Sequence, residues 1–332
     1  MRFIYLFMLM FSCSSWSYTV GNQSLLITTD DPQRQLSVRL FYPTRSEAPS
    51  VLQGNNSVFQ GFAAIPDASL AAGKFPMVVL SHGSGGNNTS LAWLATQLAR
   101  HGIIVLAANH PGSTTGDSRA TTDVTLQTRD ISIMLNVILR DARWGSVIDR
   151  QTIGVIGHSK GGYSALALAG AQLNRQRFAD YCATMPSMPD CQFYHRAGVR
   201  LQQLDAGRLE ASYRDPRITF AVALDPGMAY AVTPQSIARI NVPVLLLAAD
   251  YYVRAPKPQQ LGVENIHLPQ QRLPQTGHFD FLPLCQPQAK EVLAEEGEEF
   301  ICETPTAERA AIHQQVVNQV MAFLRQNRVI VE

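Results

Sequence analysis

The sequence is poor in charge and balanced in sign. Only 16% of its 332 residues are Asp, Glu, Lys or Arg, and the formal net charge is +1. No run of five like charges interrupts it, so it projects no field of the kind that gathers nucleic acid or an anionic membrane. It also lacks any apolar stretch of the eighteen or more residues that a bilayer-spanning helix needs, which leaves no integral membrane span to expect. There is no H-E-x-x-H pair, no paired-cysteine metal spacing and no G-x-G-x-x-G fingerprint. Neither a metal nor a nicotinamide cofactor is therefore expected. No repeat or low-complexity tract divides the chain, and Gly and Pro fall between apolar segments. A single enzyme-sized domain over residues 18–332 is the simplest organisation, and a small, largely neutral molecule is its expected partner.

What is present begins with an export signal. Arg2 supplies a positive start, Phe3 to Phe11 is continuously apolar, and Ser15-Trp16-Ser17 offers small residues for cleavage, so residues 1–17 read as a signal peptide. Cys13 offers the alternative of a lipid anchor, against which Phe11 stands where such signals carry a small residue. Beyond this segment remain Cys182, Cys191, Cys285 and Cys302. An even count in an exported, periplasmic or secreted chain points to disulfides. Of three possible connectivities the sequence-local one is expected, Cys182 with Cys191 and Cys285 with Cys302, with free buried thiols as the alternative.

Strand-like segments open the chain at Leu25 to Thr29 and Leu36 to Tyr42. Short, wholly apolar segments then alternate with helical periodicity: Met77 to Leu80, Ile103 to Ala107, Ile153 to Ile156, Ile218 to Leu224 and Val244 to Leu247. That rhythm is the mark of an α/β protein with a mostly parallel sheet flanked by helices. Leu91, Leu94, Ala95 and Leu98 recur at helical spacing, as do Ile131, Met134, Leu135 and Ile138, and Ile312, Val316, Val320 and Phe323. Residues 171–217 are too many for an ordinary strand connection. They are expected to form a cap insertion, in which Met185 and Met188 either line a cleft or fill packing gaps.

The chemistry concentrates in Gly157-His158-Ser159-Lys160-Gly161-Gly162, which follows an apolar strand and precedes the helical run Tyr163 to Ala169. A strand that turns sharply into a helix needs small residues two before and two after the serine, and it lifts that hydroxyl to a helix N-terminus. Ser159 is thus the candidate nucleophile. A second Gly-rich element, His82-Gly83-Ser84-Gly85-Gly86, follows the strand Met77 to Leu80. Its glycines let backbone amides approach a ligand oxygen, so the amides of Ser84 and Lys160 are the candidate oxyanion hole. The side chain of Lys160 is expected along the helix surface or in a local ion pair, and His110-Pro111-Gly112 as a structural turn.

A serine needs a base in reach and a third group to fix its tautomer. Among eight histidines, His278 in Gln275-Thr276-Gly277-His278-Phe279 lies after the last strand, where the base belongs, and His267 is its late competitor. His158 is read as a spacer that points away, His82 as a brace for its loop, and His313 as part of the closing helix. Two carboxylates follow apolar strands, Asp225 and Asp250, while Tyr252 stands where many acids would be.

These motifs resemble the α/β-hydrolase superfamily across most of the chain. More narrowly, SHGSGG, GHSKGGY, ALDPGM and TGHFDFL are similar to dienelactone hydrolase-like esterases related to platelet-activating factor acetylhydrolases. The resemblance implies an α/β-hydrolase fold and cofactor-free cleavage of short or modest carboxylic esters by a Ser-His-Asp triad. It also favours Asp225, in its Leu-Asp-Pro context, over Asp250 as the acid. Ser159 replaces the cysteine of dienelactone hydrolases proper, which argues against their particular reaction. A hydrolase-fold binding protein without turnover, or an acyltransferase, would share these features.

Overall fold

The structure, a computed structural model, describes residues 17–29, 31, 34–250 and 262–330. Most of the expected signal segment, with Cys13, and Tyr252 lie outside the described residues.

The apolar segments fold as strands β1 (Thr19–Ile27), β2 (Leu36–Thr44), β3 (Val51–Gln53), β4 (Phe62–Pro66), β5 (Phe75–Ser81), β6 (Ile104–Ala108), β7 (Ile148–His158), β8 (Phe220–Leu224), β9 (Val244–Ala249) and β10 (Gln270–Leu273). They form a sheet in the order β10-β9-β8-β7-β5-β6-β2-β1-β4-β3. Pairing from β6 through β10 is parallel, whereas β1 with β2 and β2 with β6 are antiparallel. The central strands are apolar on both faces because helices cover both. Val78, Leu80, Ile156, Val222 and Leu247 face one core with α1 (Ala92–Arg100) and α9 (Thr306–Gln326). Met77, Val79, Ile153 and Val155 face the other with α2 (Leu126–Ile138) and part of α3 (Lys160–Ala169).

Three strands escape the apolar-run criterion. The short pair β3 and β4 is an antiparallel ribbon at one edge, and β10 at the other edge reads Gln-Gln-Arg-Leu, with only Leu273 buried. An edge strand needs fewer apolar residues because one flank and much of its surface meet water.

Residues 171–219 lie between α3 and β8. They hold α4 (Arg175–Thr184), α5 (Pro189–Arg196), a 3-10 turn at Leu201–Gln203 and α6 (Ala206–Leu209). Phe178, Tyr181, Tyr194, Leu201 and Leu209 pack onto Tyr163, Leu166 and Ala167 of α3. Asn174 caps α4 by accepting the Arg177 amide, and Pro189 occupies the first turn of α5. A disulfide joins Cys182 to Cys191, and another joins Cys285 to Cys302. Met185 and Met188 pack within this segment and do not line the central cleft. The remaining helices are α7 (Pro234–Ile237), after β8, and α8 (Ala289–Ala294), beside the second disulfide. No helix among the described residues is long and apolar enough to cross a membrane.

Candidate active site

Ser159 sits at the junction of β7 and α3 with φ 56° and ψ −119°, a conformation costly for any residue but glycine. Its neighbours show why the turn is made. A Cβ on Gly157 would lie 2.0 Å from the Gly161 carbonyl oxygen, and one on Gly161 would lie 2.1 Å from that of Ser81. Strand, turn and helix therefore close only around small residues. The Ser159 amide donates to the Leu224 carbonyl at 3.0 Å, and the Gly227 amide donates to the Ser159 carbonyl at 3.1 Å. The elbow is thereby stitched to the end of β8.

That stitching brings together residues far apart in the chain. His278 Nε2 lies 3.0 Å from Ser159 Oγ, and its Nδ1 lies 2.6 Å from Asp225 Oδ2. Asp225 is fully buried, and its Oδ1 accepts the Ala249 amide at 3.0 Å. This leaves the imidazole with Nδ1–H toward the carboxylate and an unprotonated Nε2 toward the hydroxyl, the arrangement a general base requires. Asp250 comes one residue after β9, and His267 is exposed in the connection before β10.

The Gly-rich loop closes over the same serine, since a Cβ on Gly83 would be 3.1 Å from Ser159 Cβ. Neither the Ser84 nor the Lys160 amide donates to another group among the described residues, and both residues line the cleft with Ser159 and His278. Lys160 opens α3, where amides have no intrahelical partner. The loop is held from behind: Thr114 Oγ1 donates to the Gly86 carbonyl at 2.8 Å, Thr115 Oγ1 to that of Gly85 at 2.8 Å, and Gln127 to that of His82 at 3.1 Å. His82 Nδ1 donates to the Gly83 carbonyl at 2.7 Å, and burial holds this ring well below the usual histidine range, neutral.

Two side chains behave differently from the reading of the sequence, while the structural turn expected at His110-Pro111-Gly112 forms, with the Ser113 amide donating to the His110 carbonyl at 2.8 Å. His158 does not point away: its Nε2 donates to the backbone carbonyl of His278 at 2.8 Å, and its ring lies 4.6 Å from the His278 ring. Desolvation pushes it down to about 3, so it stays a neutral donor. Lys160 is buried rather than spread on the helix surface. Its Nζ donates to Ser113 Oγ at 3.1 Å and the Thr121 carbonyl at 2.8 Å, and burial pulls it down to about 7. His110 belongs to a buried network in which its Nδ1 meets Asp130 Oδ2 at 2.9 Å, while Arg34 grips the same carboxylate with two nitrogens.

How the His278 turn is held was not legible from residue types alone. Asp280 Oδ2 accepts the Gly277 amide at 2.8 Å, and Arg309 Nε of α9 lies 3.3 Å from Asp280 Oδ1. Arg309 also donates to the carbonyls of Pro283 and Ile301. One helical turn on, His313 Nε2 lies 3.0 and 2.9 Å from the carbonyls of Asp280 and Leu282, its ring stacked on Trp93 at 3.8 Å. The periodicity of α9 marks its buried face, and two polar side chains on that face position the loop that carries the imidazole.

A cleft of about 590 Å³ opens over Ser159. Phe62, Trp93, Phe279, Leu284, Phe300 and Ile301 form an apolar wall, and Pro189, Asp190, Phe193, Tyr194 and Arg196 of α5 face it. The wall depends on the β3–β4 ribbon being tied to the Cys285 region, through Gln60 N–H to the Leu284 carbonyl at 2.7 Å and Gln286 N–H to that of Val58 at 2.8 Å.

Comparison with known proteins agrees with this architecture, because the Alpha/beta hydrolase family model matches residues 78–295, more than half of the chain. The chain belongs to the alpha/beta hydrolase family. Among curated alpha/beta hydrolase relatives it is similar to cutinase est1 of Thermobifida alba, at 37% identity over 98 residues, which is 28% of this chain and 29% of that protein. Cutinase est2 of the same organism is 35% identical over 97 residues, again 28% and 29% of the two chains. The matched stretch thus spans less than a third of either cutinase. A solved ferulic acid esterase from Streptomyces cinnamoneus superposes with a TM-score of 0.60 at 21% identity, covering 93% of this chain and 90% of that one. At that identity the likeness speaks to the alpha/beta hydrolase fold.

Proposed function

We propose that this alpha/beta hydrolase is an exported serine esterase that cleaves carboxylic esters of small molecules through an acyl-enzyme. The observation that carries the reading is the continuous relay from buried Asp225 through His278 to Ser159, with 2.6 and 3.0 Å contacts. His278 Nε2 takes the hydroxyl proton as Ser159 Oγ attacks the ester carbonyl, and Asp225 stabilises the imidazolium that forms. The oxyanion collects hydrogen bonds from the amides of Ser84 and Lys160. His278 then passes its proton to the leaving alkoxide, and water repeats the attack on the acyl-enzyme. His158 and Arg309, through Asp280, keep the imidazole in register.

The cutinase relatives support ester cleavage as the reaction type. Two disulfides support export of the chain, with residues 1–17 as its signal. The α4–α6 segment serves as a cap, because α5 forms one wall of the cleft. The unpartnered amides of Ser84 and Lys160, in residues that line the cleft with Ser159 and His278, support turnover over mere binding.

Ser159→Ala tests the assignment. The purified variant is expected to lose p-nitrophenyl acetate hydrolysis and covalent labelling by a fluorophosphonate while keeping the wild-type circular dichroism spectrum. Hydrolysis at the wild-type rate would overturn it. Product analysis with competing alcohols separates hydrolysis from acyl transfer.

A further inference from the structure

α5 carries a carboxyl into the cleft that the relay does not use. Asp190 lines the cleft together with Ser159 and His278. Its Oδ2 accepts the Met228 amide at 2.8 Å and the Tyr181 hydroxyl at 3.2 Å. Its Oδ1 accepts nothing among the described residues. A Cβ built on Gly227 would lie 3.4 Å from Asp190 Oδ1 and 3.8 Å from the Ser159 carbonyl carbon, so this oxygen and the nucleophile flank the same glycine. The placement is built in: Tyr181 and Asp190 each precede a cysteine of the Cys182–Cys191 disulfide, which holds the two backbones side by side.

The surroundings leave that charge without a protein cation. The Lys160 ammonium turns away to Ser113 and the Thr121 carbonyl. Arg196, at the far end of α5, is exposed and makes no ion pair with Asp190 among the described residues. His278 is the titratable group facing it from the catalytic loop, and it is already engaged by Asp225. Burial of the carboxyl pushes Asp190 up to about 6, still ionised in a neutral or mildly alkaline medium.

We propose that Asp190 is a specificity-determining residue, whose free oxygen receives a cationic or hydroxyl-bearing group placed a few atoms from the scissile carbonyl and excludes a carboxylate there. The proposal rests on the esterase reading and names the substrate class of that same site. Ionic attraction of the carboxylate for a cation in a partly desolvated cleft, with a hydrogen bond added where the group carries an N–H or O–H, is strong enough for selectivity of about tenfold or more.

The test compares kcat/KM at pH 8 for butyrylcholine, its uncharged isostere 3,3-dimethylbutyl butyrate, and 3-butyryloxypropanoate. A second series places the same three charge types on the acyl chain of p-nitrophenyl esters, which locates the group on the alcohol or the acyl side. In at least one series the wild type is expected to favour the cationic over the anionic ester by about tenfold or more, and Asp190→Asn to bring that ratio close to one. Ratios are read within each enzyme, so a general loss of turnover cancels. If the wild type shows no charge preference in either series, or if the folded variant keeps the wild-type ratio, the proposal fails. Uniform slowing of all esters in Asp190→Asn would instead mark the carboxyl as support for the imidazolium, and would overturn the specificity role. Wild-type enzyme that neither labels with fluorophosphonate nor hydrolyses any ester sinks the underlying reading instead, which keeps the two failures apart.

Discussion

Arg309→Met isolates the support beneath the turn that carries His278. The side chains of Arg309 and Asp280 are 1% and 3% exposed, so removing the guanidinium leaves a carboxylate in the interior with the Gly277 amide as its remaining donor. Breaking a buried pair on one side costs about 3–5 kcal/mol. The Gly277 hydrogen bond places this case toward the lower end. A chain of this length has an unfolding entropy of about 0.7 kcal/mol per kelvin, so the melting temperature should fall by roughly 4–7 °C. The same substitution frees the turn that carries His278, so kcat should drop more than KM changes, and fluorophosphonate labelling should slow in parallel. Differential scanning calorimetry and p-nitrophenyl acetate kinetics on the purified variant read both effects. Adding Asp280→Asn removes the stranded charge and should return at least half of the lost melting temperature, although not the lost turnover. A single variant that melts within about 1 °C of wild type, with unchanged kcat, would refute the argument that this pair holds the loop.

Three other outcomes are expected. Asp225→Asn should lower kcat by about 10⁴ through the wrong imidazole tautomer, while Asp250→Asn should leave kcat at the wild-type order of magnitude; the reverse would make Asp250 the acid. Stability should fall with acid below pH 6.5, because buried His158 and His313 are pushed down to about 3 and about 4 from 6.5. The unfolded chain takes up these protons first, so each ring's contribution, full above pH 6.5, shrinks by about 2 kcal/mol by pH 5. Asp190, raised to about 6, acts in the opposite sense and offsets about 1 kcal/mol of that loss. His313→Gln should therefore flatten the fall in melting temperature between pH 7 and 5, and an unchanged slope would contradict the assignment. Replacing Cys285 and Cys302 by serine opens a crosslink between residues 17 apart in sequence, which should cost about 3 kcal/mol in thermal or denaturant melts. It should also weaken hydrolysis of bulky acyl esters more than of acetate, since Leu284, Phe300 and Ile301 form the apolar wall.

Ordered local chemistry was legible in the sequence wherever one short segment dictates its own geometry. The apolar runs of β5 through β9 could only be buried strands, and the glycines around Ser159 could only serve a turn too tight for side chains. The strand bounds moved by a residue or two for most elements, and farther for β1, expected from Leu25 but beginning at Thr19, and for β7, which begins at Ile148. Edge strands such as β10 carry no such signature, because water satisfies what a neighbour would otherwise have to cover.

Residues alone left Asp225 and Asp250 level, both at the ends of apolar strands. Only tertiary packing separates them, because β8 lies beside β7 in the sheet, and the turn after it therefore delivers Asp225 to the His278 ring. His158, Arg309 and Asp190 were equally unreadable for the same reason. A hydrogen bond from His158 to the His278 backbone, or from Met228 to Asp190, joins atoms whose separation along the chain is erased by folding. Sequence fixes what each short segment can do by itself through sterics and hydrophobic period. Which polar groups face one another in the interior is decided when the sheet order and the helices packed on it bring distant segments to within a hydrogen bond's reach.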